Sequence, residues 1–307
     1  MIKKHRRDLI LTFDLLKSII ISSFSVCMFY VLISSFVLYG QTGVVYDDLS
    51  FKSKILKMER QYAVYLPPDY HLSSRQYPVL YLLHGYSDDQ TGWIQFGEVK
   101  HITDKAIADG SATSMVIVMP DADTGFIGYI NTIDGQWLYE DFFFKELIPH
   151  IEKTFKVKSE KDYRAIAGLS MGGGGSLLYA LHHPEYFVAC APLSAWLGPS
   201  TIEELELALQ NTNLDYKPED LEPYFNHYNA LAYIDGKTKE ELSQVSYYID
   251  NGDDDYLYEG NALLHIALRK KGVPHEFRIR NGGHSWTYWR ESLPDVLHFV
   301  SQRFRRF

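Results

Sequence analysis

The chain has 307 residues, of which 46% are hydrophobic, 22% charged and 15% aromatic. These proportions are typical of a globular protein and exclude a disordered, collagen-like or disulfide-framework chain. The formal net charge of −9 has the wrong sign for holding nucleic acid through its phosphates, so we expect no nucleic-acid partner.

The first 40 residues differ in charge and hydropathy from the rest. Residues 1–17 carry five basic and two acidic side chains, a net charge of +3, which leaves −12 for the remainder. Residues 18–40 contain no charged side chain over 23 positions. A basic head before an apolar run is typical of a signal peptide, and this run is also long enough to span a bilayer. We interpret residues 1–40 as a signal peptide or, if retained, an N-terminal membrane anchor; a buried helix of the domain is the third alternative.

Both membrane interpretations leave the basic head in the cytoplasm and place residues 41–307 on the far side, periplasmic or secreted. Membrane contact is then expected only through residues 18–40, if that segment is retained. Of the two cysteines, Cys27 lies in the apolar run and Cys190 in a strand-like run. We interpret Cys27 as a membrane-segment residue rather than a lipid-attachment site, and Cys190 as a core residue without a disulfide.

Residues 41–307 contain no linker, repeat or charge block and predict one α/β domain. Apolar runs predict strands over 77–83, 114–119, 163–167, 186–193, 245–249 and 275–279, after an early antiparallel strand at 60–66. Helical spacing predicts helices over 138–155, 176–183, 257–271 and 294–304. This alternation indicates a mostly parallel sheet with helices on both faces. The Tyr-rich residues 198–242 interrupt it and predict a lid-like insertion, with a surface decoration as the alternative.

The strongest local motif is Gly168-Leu169-Ser170-Met171-Gly172, between a predicted strand and a predicted helix. In that context G-x-S-x-G is typical of a nucleophile at a sharp turn, here Ser170; a Gly-rich turn without catalytic function is the alternative. A serine hydroxyl needs a base to activate it. His284 follows the last predicted strand, where the base of this chain order lies, and is the candidate.

The acidic partner is ambiguous from the residues alone, because four carboxylates follow the strand at 245–249: Asp250, Asp253, Asp254 and Asp255. A Ca²⁺ loop is the rival explanation, but the spacing lacks its distal Glu, so we predict no metal here.

An oxyanion hole needs two backbone N–H groups aimed at the developing charge. Met171, the residue after the candidate nucleophile, supplies one, and Tyr86 after Gly85 supplies the other. His84 is interpreted as a structural residue that holds this loop by hydrogen bonds.

Taken together, these motifs resemble the bacterial esterase D and feruloyl esterase family of α/β-hydrolases over nearly all of residues 50–305. The resemblance rests on several motifs in order: Leu82-Leu83-His84-Gly85 with Trp93, Met119-Pro120-Asp121, Glu146-Leu147-Ile148-Pro149, the Ser170 motif, residues 252–258, and Gly282-Gly283-His284-Ser285-Trp286. It implies an α/β-hydrolase fold and a Ser-His-Asp triad. It also selects Asp255, three residues after Gly252, as the acid.

We therefore expect an exported serine carboxylesterase that removes feruloyl or acetyl groups from xylan and needs neither metal nor cofactor. Its partner is a small-molecule or polysaccharide-linked ester, and Trp93 and Trp286 are candidates for stacking on a phenolic or sugar ring, with core packing as the alternative. The other hypotheses are a general carboxylesterase, a hydrolase similar to S-formylglutathione hydrolases, an acyltransferase, and a noncatalytic carbohydrate-binding protein. The leader argues against the cytosolic formylglutathione branch.

Overall fold

The computed structural model describes residues 42–122 and 128–304. The predicted leader, residues 1–40, lies outside the described residues. Among those that are described, no helix is long and apolar enough to cross a membrane.

Eight strands form a single sheet in the order β1-β2-β4-β3-β5-β6-β7-β8. The strands are β1 (Val44–Lys52), β2 (Glu59–Leu66), β3 (Val79–Leu83), β4 (Val116–Pro120), β5 (Arg164–Leu169), β6 (Ala189–Leu193), β7 (Ser246–Gly252) and β8 (His275–Arg280). Strands β3 to β8 are mutually parallel, and β2 is antiparallel to both of its neighbours. The early antiparallel strand and the mostly parallel sheet are therefore confirmed.

Alternate residues of the central strands pack into two separate cores. In β3, Tyr81 and Leu83 belong to one buried cluster, while Leu80 and Leu82 belong to the other. Because successive side chains of a strand point to opposite faces, the two clusters cover the two faces of the sheet. A strand buried on both faces reads as a continuous apolar run, which explains why the sequence revealed it.

Helices supply the other half of each core. They are α1 (Gly92–Gln95), α2 (Val99–Ala108), α3 (Tyr139–Phe142), α4 (Ile148–Thr154), α5 (Met171–His182), α6 (Ile202–Gln210), α7 (Pro218–Tyr228), α8 (Ala230–Asp235), α9 (Lys239–Leu242), α10 (Tyr258–Lys270) and α11 (Trp286–Phe304). A π-helical turn, Phe143–Leu147, joins α3 to α4. Helices α3, α4, α5 and α10 pack on one face, and α2 and α11 pack on the other. This arrangement confirms the predicted α/β-hydrolase fold.

Several boundaries differ from the sequence prediction. Strand β1 and helices α1 and α2 were not predicted. Helix α5 begins at Met171 rather than 176, because its four glycines are buried where a side chain would meet neighbouring backbone or, at Gly175, the Tyr129 side chain. Helix α11 begins at Trp286 and contains Pro294, which the prediction took as its first residue. Tyr288 and Trp289 are buried and extend its packed face toward the N-terminus.

The segment between β6 and β7 holds helices α6 to α9. This segment has a small apolar cluster, separate from the two main cores, formed by Leu205, Leu209 and Leu221. Cys190 in β6 is fully buried and free, which confirms that it is a core residue without a disulfide.

Candidate active site

Ser170 lies at the junction of β5 and α5 in a strained backbone conformation. Its φ of 54° and ψ of −117° fall where residues with a side chain are uncommon. The glycines beside it are sterically required: a Cβ on Gly168 would lie 2.4 Å from the Gly172 carbonyl oxygen, and one on Gly172 would lie 2.4 Å from the His84 carbonyl oxygen. The chain therefore makes a sharp turn that only this residue pattern permits.

His284 lies in the loop between β8 and α11 and reaches the serine. Its Nε2 is 2.9 Å from Ser170 Oγ, and its Nδ1 is 2.9 Å and 3.0 Å from the two carboxylate oxygens of Asp255. With Nδ1–H donating to the carboxylate, Nε2 has a lone pair that faces the serine hydroxyl. The three side chains thus form one hydrogen-bonded chain.

Asp255 is 1% exposed, in the loop that follows β7. Burial alone would raise its pKa, but hydrogen bonds from His284, the Leu257 N–H and the Ser194 hydroxyl outweigh that effect and hold the pKa below its usual value. The carboxylate is therefore ionised at neutral pH and oriented by three donors.

The neighbouring carboxylates have other partners. Asp250 is fully buried and bonds to Tyr248, Tyr288 and Arg280, an arrangement that ties β7 to β8 and α11. Asp253 accepts the Gly282 N–H at 2.9 Å and joins the two loops that carry Asp255 and His284. Of the four candidate carboxylates, only that of Asp255 hydrogen-bonds to His284, so the geometry singles out the one that the family resemblance selected.

Ser194 is a site residue that sequence reasoning missed. It follows β6 with a φ of 46°, is fully buried, and its Oγ accepts a hydrogen bond from Trp289 Nε1 at 3.0 Å while contributing to the Asp255 environment. A serine after an apolar strand has no distinctive sequence pattern. The positive φ, visible only in three dimensions, is the signal that marks it.

The two expected oxyanion donors flank Ser170. Met171 is the first residue of α5, where a helical N–H has no partner within the helix. Gly85, which precedes Tyr86, is so close that a Cβ there would lie 3.5 Å from the serine Cβ. His84 accepts the Ala122 N–H at Nε2 and donates from Nδ1 to the Gly85 carbonyl oxygen. It therefore fixes the loop that carries Tyr86, as the sequence interpretation expected.

The prediction that Trp93 stacks on substrate is wrong, because this side chain is fully buried and its indole N–H donates to the Leu83 carbonyl oxygen at 3.0 Å. Trp286 is half-buried and packs edge-on against Trp93, with ring centroids 5.2 Å apart. Neither tryptophan lines the cavity beside Ser170. Both rings join α1 to α11.

A cavity of about 550 Å³ opens beside Ser170 and runs beneath the insertion. Its walls come from the loop that carries Tyr86, from α5 and from helices α6 and α7. They are mainly apolar and include Tyr86, Tyr129, Ile130, Met171, Leu178, Trp196, Leu205, Ala208, Leu209, Tyr224, Phe225, Tyr228, Tyr256 and Leu257. The phenol hydroxyl of Tyr224 donates to the Asn131 carbonyl oxygen, and that of Tyr228 accepts the Asn131 N–H. The predicted insertion thus supplies much of the wall.

The family comparison agrees with this geometry. Residues 53–300 match the model of the family described as Putative esterase. The chain belongs to this esterase family. It is a carboxylesterase by fold and family, and its substrate is a small-molecule ester.

Named relatives and solved structures place the esterase among acyl-ester hydrolases. An acetyl esterase of Caldicellulosiruptor saccharolyticus is 23% identical over 83% of this chain and 97% of its own length. An endo-1,4-beta-xylanase/feruloyl esterase of Xylanibacter ruminicola is 39% identical over 40% of this chain and 18% of its own. A solved ferulic acid esterase is 34% identical, with a TM-score of 0.74 over 85% of this chain and 99% of its own. The chain spans about half the length of two mycobacterial esterases that it matches at 30% identity.

Proposed function

We propose that Ser170, His284 and Asp255 form the catalytic triad of this esterase. The observation that carries the proposal is the continuous set of contacts of 2.9–3.0 Å from the serine hydroxyl through the imidazole to the buried carboxylate. His284 Nε2 takes the proton from Ser170 Oγ as that oxygen attacks the ester carbonyl carbon. Asp255 stabilises the imidazolium that forms.

The carbonyl oxygen becomes negatively charged in this step, and the backbone N–H groups of Met171 and Tyr86 donate to it. Each such donor contributes on the order of 3 kcal/mol to lowering the barrier. The imidazolium then protonates the leaving alcohol as the C–O bond breaks. Water, deprotonated by His284, hydrolyses the acyl-serine and releases the acid.

We further propose that the acyl group is feruloyl or acetyl and that the natural substrate is plant cell-wall xylan. The names of the similar proteins support this class. The cavity favours the larger group, because about 550 Å³ lies within the range that encloses a drug-sized ligand, and an acetyl group leaves most of it unfilled. The mainly apolar wall suits an aromatic ring.

Replacement of the nucleophile tests the triad. We expect Ser170→Ala to lower kcat for p-nitrophenyl acetate by at least about 10⁴-fold, since triad members act as a unit. The exposed Ser200, just before α6, provides the matched control, and Ser200→Ala should retain full activity. A fluorophosphonate probe should label the wild type but not the Ser170 variant. Wild-type hydrolysis by the Ser170 variant would disprove the assignment.

A substrate panel tests the acyl group. Methyl ferulate, acetylated xylan and S-formylglutathione present an aromatic, a small and a thioester substrate to the same enzyme. The proposal expects the highest kcat/KM on methyl ferulate or acetylated xylan. A preference for S-formylglutathione would instead favour the glutathione-linked hypothesis.

We also propose that the enzyme is exported and that residues 1–40 are its leader or anchor, with residues 41–307 as the esterase domain. Support comes from the basic head and the uncharged run of residues 18–40. N-terminal sequencing after expression and fractionation of periplasm, medium and membrane is the test. Recovery of the uncut chain in the cytoplasm would contradict export.

A further inference from the structure

A cluster of one carboxylate and three imidazoles lies outside the catalytic triad. Glu140 is in α3, His182 and His183 end α5, and His227 is in the last turn of α7. One ligand atom each of Glu140, His182 and His227 lie within 4.8 Å of one another. None of the four lines the cavity beside Ser170.

The hydrogen bonds of His182 require a cation at one ring nitrogen. Its Nε2 is 2.9 Å from the His227 carbonyl oxygen, so Nε2 carries a proton and donates. Its Nδ1 is 2.8 Å from Glu140 Oε1, which is an acceptor. In a neutral ring with its single proton on Nε2, the Nδ1 lone pair would face a carboxylate oxygen. The contact is satisfied either by a second proton on Nδ1 or by a metal ion bound to both atoms, and a shared metal ion requires these atoms to move apart from 2.8 Å to about 3.4 Å.

The Glu140 carboxylate can pair with either cation, a protonated imidazole or a metal ion. The residue is 4% exposed, and its Oε1 lies 2.8 Å from His182 Nδ1 and 3.1 Å from His183 Nε2. Its Oε2 is buried and has no hydrogen-bond donor within 3.5 Å among residues 42–122 and 128–304, although the Tyr228 hydroxyl interacts with the carboxylate. A buried carboxylate oxygen without a close hydrogen-bond donor destabilises the folded protein unless a cation approaches it.

His227 brings the third donor from the insertion. Its ring stacks on that of His182 with centroids 4.1 Å apart and planes 13° from parallel. Tetrahedral zinc at about 2.05 Å from each ligand places ligand atoms about 3.4 Å apart. The exposed His227 side chain must therefore turn out of its stack to point a nitrogen at the ion.

We propose that Glu140, His182 and His227 bind a divalent transition metal, with Zn²⁺ the best match. Two imidazoles and a carboxylate suit zinc, whereas Ca²⁺ and Mg²⁺ prefer oxygen ligands alone. His182 binds through Nδ1, and its Nε2–H keeps the bond to the His227 carbonyl, which is the outer contact that metal-bound histidines usually make. Water or His183 Nε2, 3.1 Å from Glu140 Oε1, completes the coordination.

The metal would tie the insertion to the domain. His227 is in α7, and the same helix contributes Tyr224, Phe225 and Tyr228 to the cavity wall. Binding joins α7 to α3 and α5 without touching Ser170. The site is therefore structural and does not depend on the catalytic roles proposed above.

The test is calorimetric titration of the EDTA-treated full chain with zinc chloride at pH 7.5. We expect one tight site, a higher Tm with zinc, and more than about 100-fold weaker binding in His227→Ala, since loss of a ligand exceeds the 10–100-fold cost of losing an outer contact. His227 is exposed, so this variant should fold; Glu140→Gln, which keeps the shape of the side chain, should weaken binding similarly.

His265 and His275 form a second imidazole pair, with Nδ1 and Nε2 2.8 Å apart, and supply the control. His265→Ala should leave the tight site intact. The affinity should also fall as pH falls from 7.5 to 5.5, because protons compete with zinc for the ligand atoms. Unchanged binding in His227→Ala, loss in His265→Ala, or the absence of a tight site would each overturn the proposal.

Discussion

Asp88 is a second carboxyl group close to the nucleophile, in the loop after β3. A Cβ on Gly85 would lie 3.6 Å from its Oδ2 and 3.5 Å from the Cβ of Ser170. Burial, aided by the charge of Asp89, raises the pKa of Asp88 to about 6 despite a hydrogen bond from the Gly85 N–H. The site thus contains a carboxyl group that changes charge near neutrality.

This shift predicts how stability depends on pH. Because the folded pKa of about 6 exceeds the ordinary value of 3.8, Asp88 favours folding most below pH 4, and this contribution is lost as pH rises through 6. We expect Asp88→Asn to remove that loss. The free energy of unfolding of the variant should therefore rise relative to that of the wild type as the pH rises from 4 to 6. The gain should be about 1 kcal/mol, discounted for solvent screening of a half-exposed group.

Urea unfolding at pH 4.5, 6 and 7.5 measures the difference between Asp88→Asn and wild type. Asp215→Asn, which removes an exposed carboxylate between α6 and α7, is the control and should show no such trend. A stability difference for Asp88→Asn that does not vary with pH would contradict the assigned shift.

At the scale of elements, the insertion forms much of the wall of the cavity beside Ser170. Ala208 and Leu207 are adjacent on α6, but only Ala208 lines the cavity, while Leu207 is 62% exposed. The Tyr-rich composition of residues 198–242 indicated a lid. Which side chains face the serine depends on how α6 and α7 pack, and the sequence did not reveal that.

Filling the cavity should separate large from small acyl groups. We expect Ala208→Phe to lower kcat/KM for methyl ferulate about tenfold or more, while p-nitrophenyl acetate hydrolysis stays near wild type, because only the larger acyl group needs the occupied space. Leu207→Phe adds the same ring to the outer face of the helix and should change neither. Equal losses on both substrates would indicate that the acyl group binds elsewhere.

Across the whole molecule, residues 42–304 contain the sheet, the three side chains of the proposed triad and the cavity wall. A chain beginning at Thr42 is therefore expected to fold and to hydrolyse p-nitrophenyl acetate with an unchanged kcat/KM. Circular dichroism and steady-state kinetics beside the full chain measure this. Failure of the shortened chain to fold would show that residues 1–41 contribute to the stability of the domain.

Local patterns were sufficient for the strands, for the turn at Ser170 and for His284. A strand buried on both faces must be apolar throughout, and a sharp strand-to-helix turn requires glycines, so both leave a mark in the sequence. Boundaries at α5 and α11 were less accurate. Glycine and proline weaken helices in isolation, whereas here tertiary packing outweighs that preference.

Sequence alone determined the fold class, the nucleophile candidate and the base candidate, because these depend on residue types at short spacing. Tertiary structure decided which of four aspartates contacts His284, that Trp93 is core rather than binding surface, and that Ser194 supports the acid. It also brought Glu140, His182 and His227 together from α3, α5 and α7. Contacts between residues far apart in the chain depend on how helices pack on the sheet, and no local pattern records that geometry.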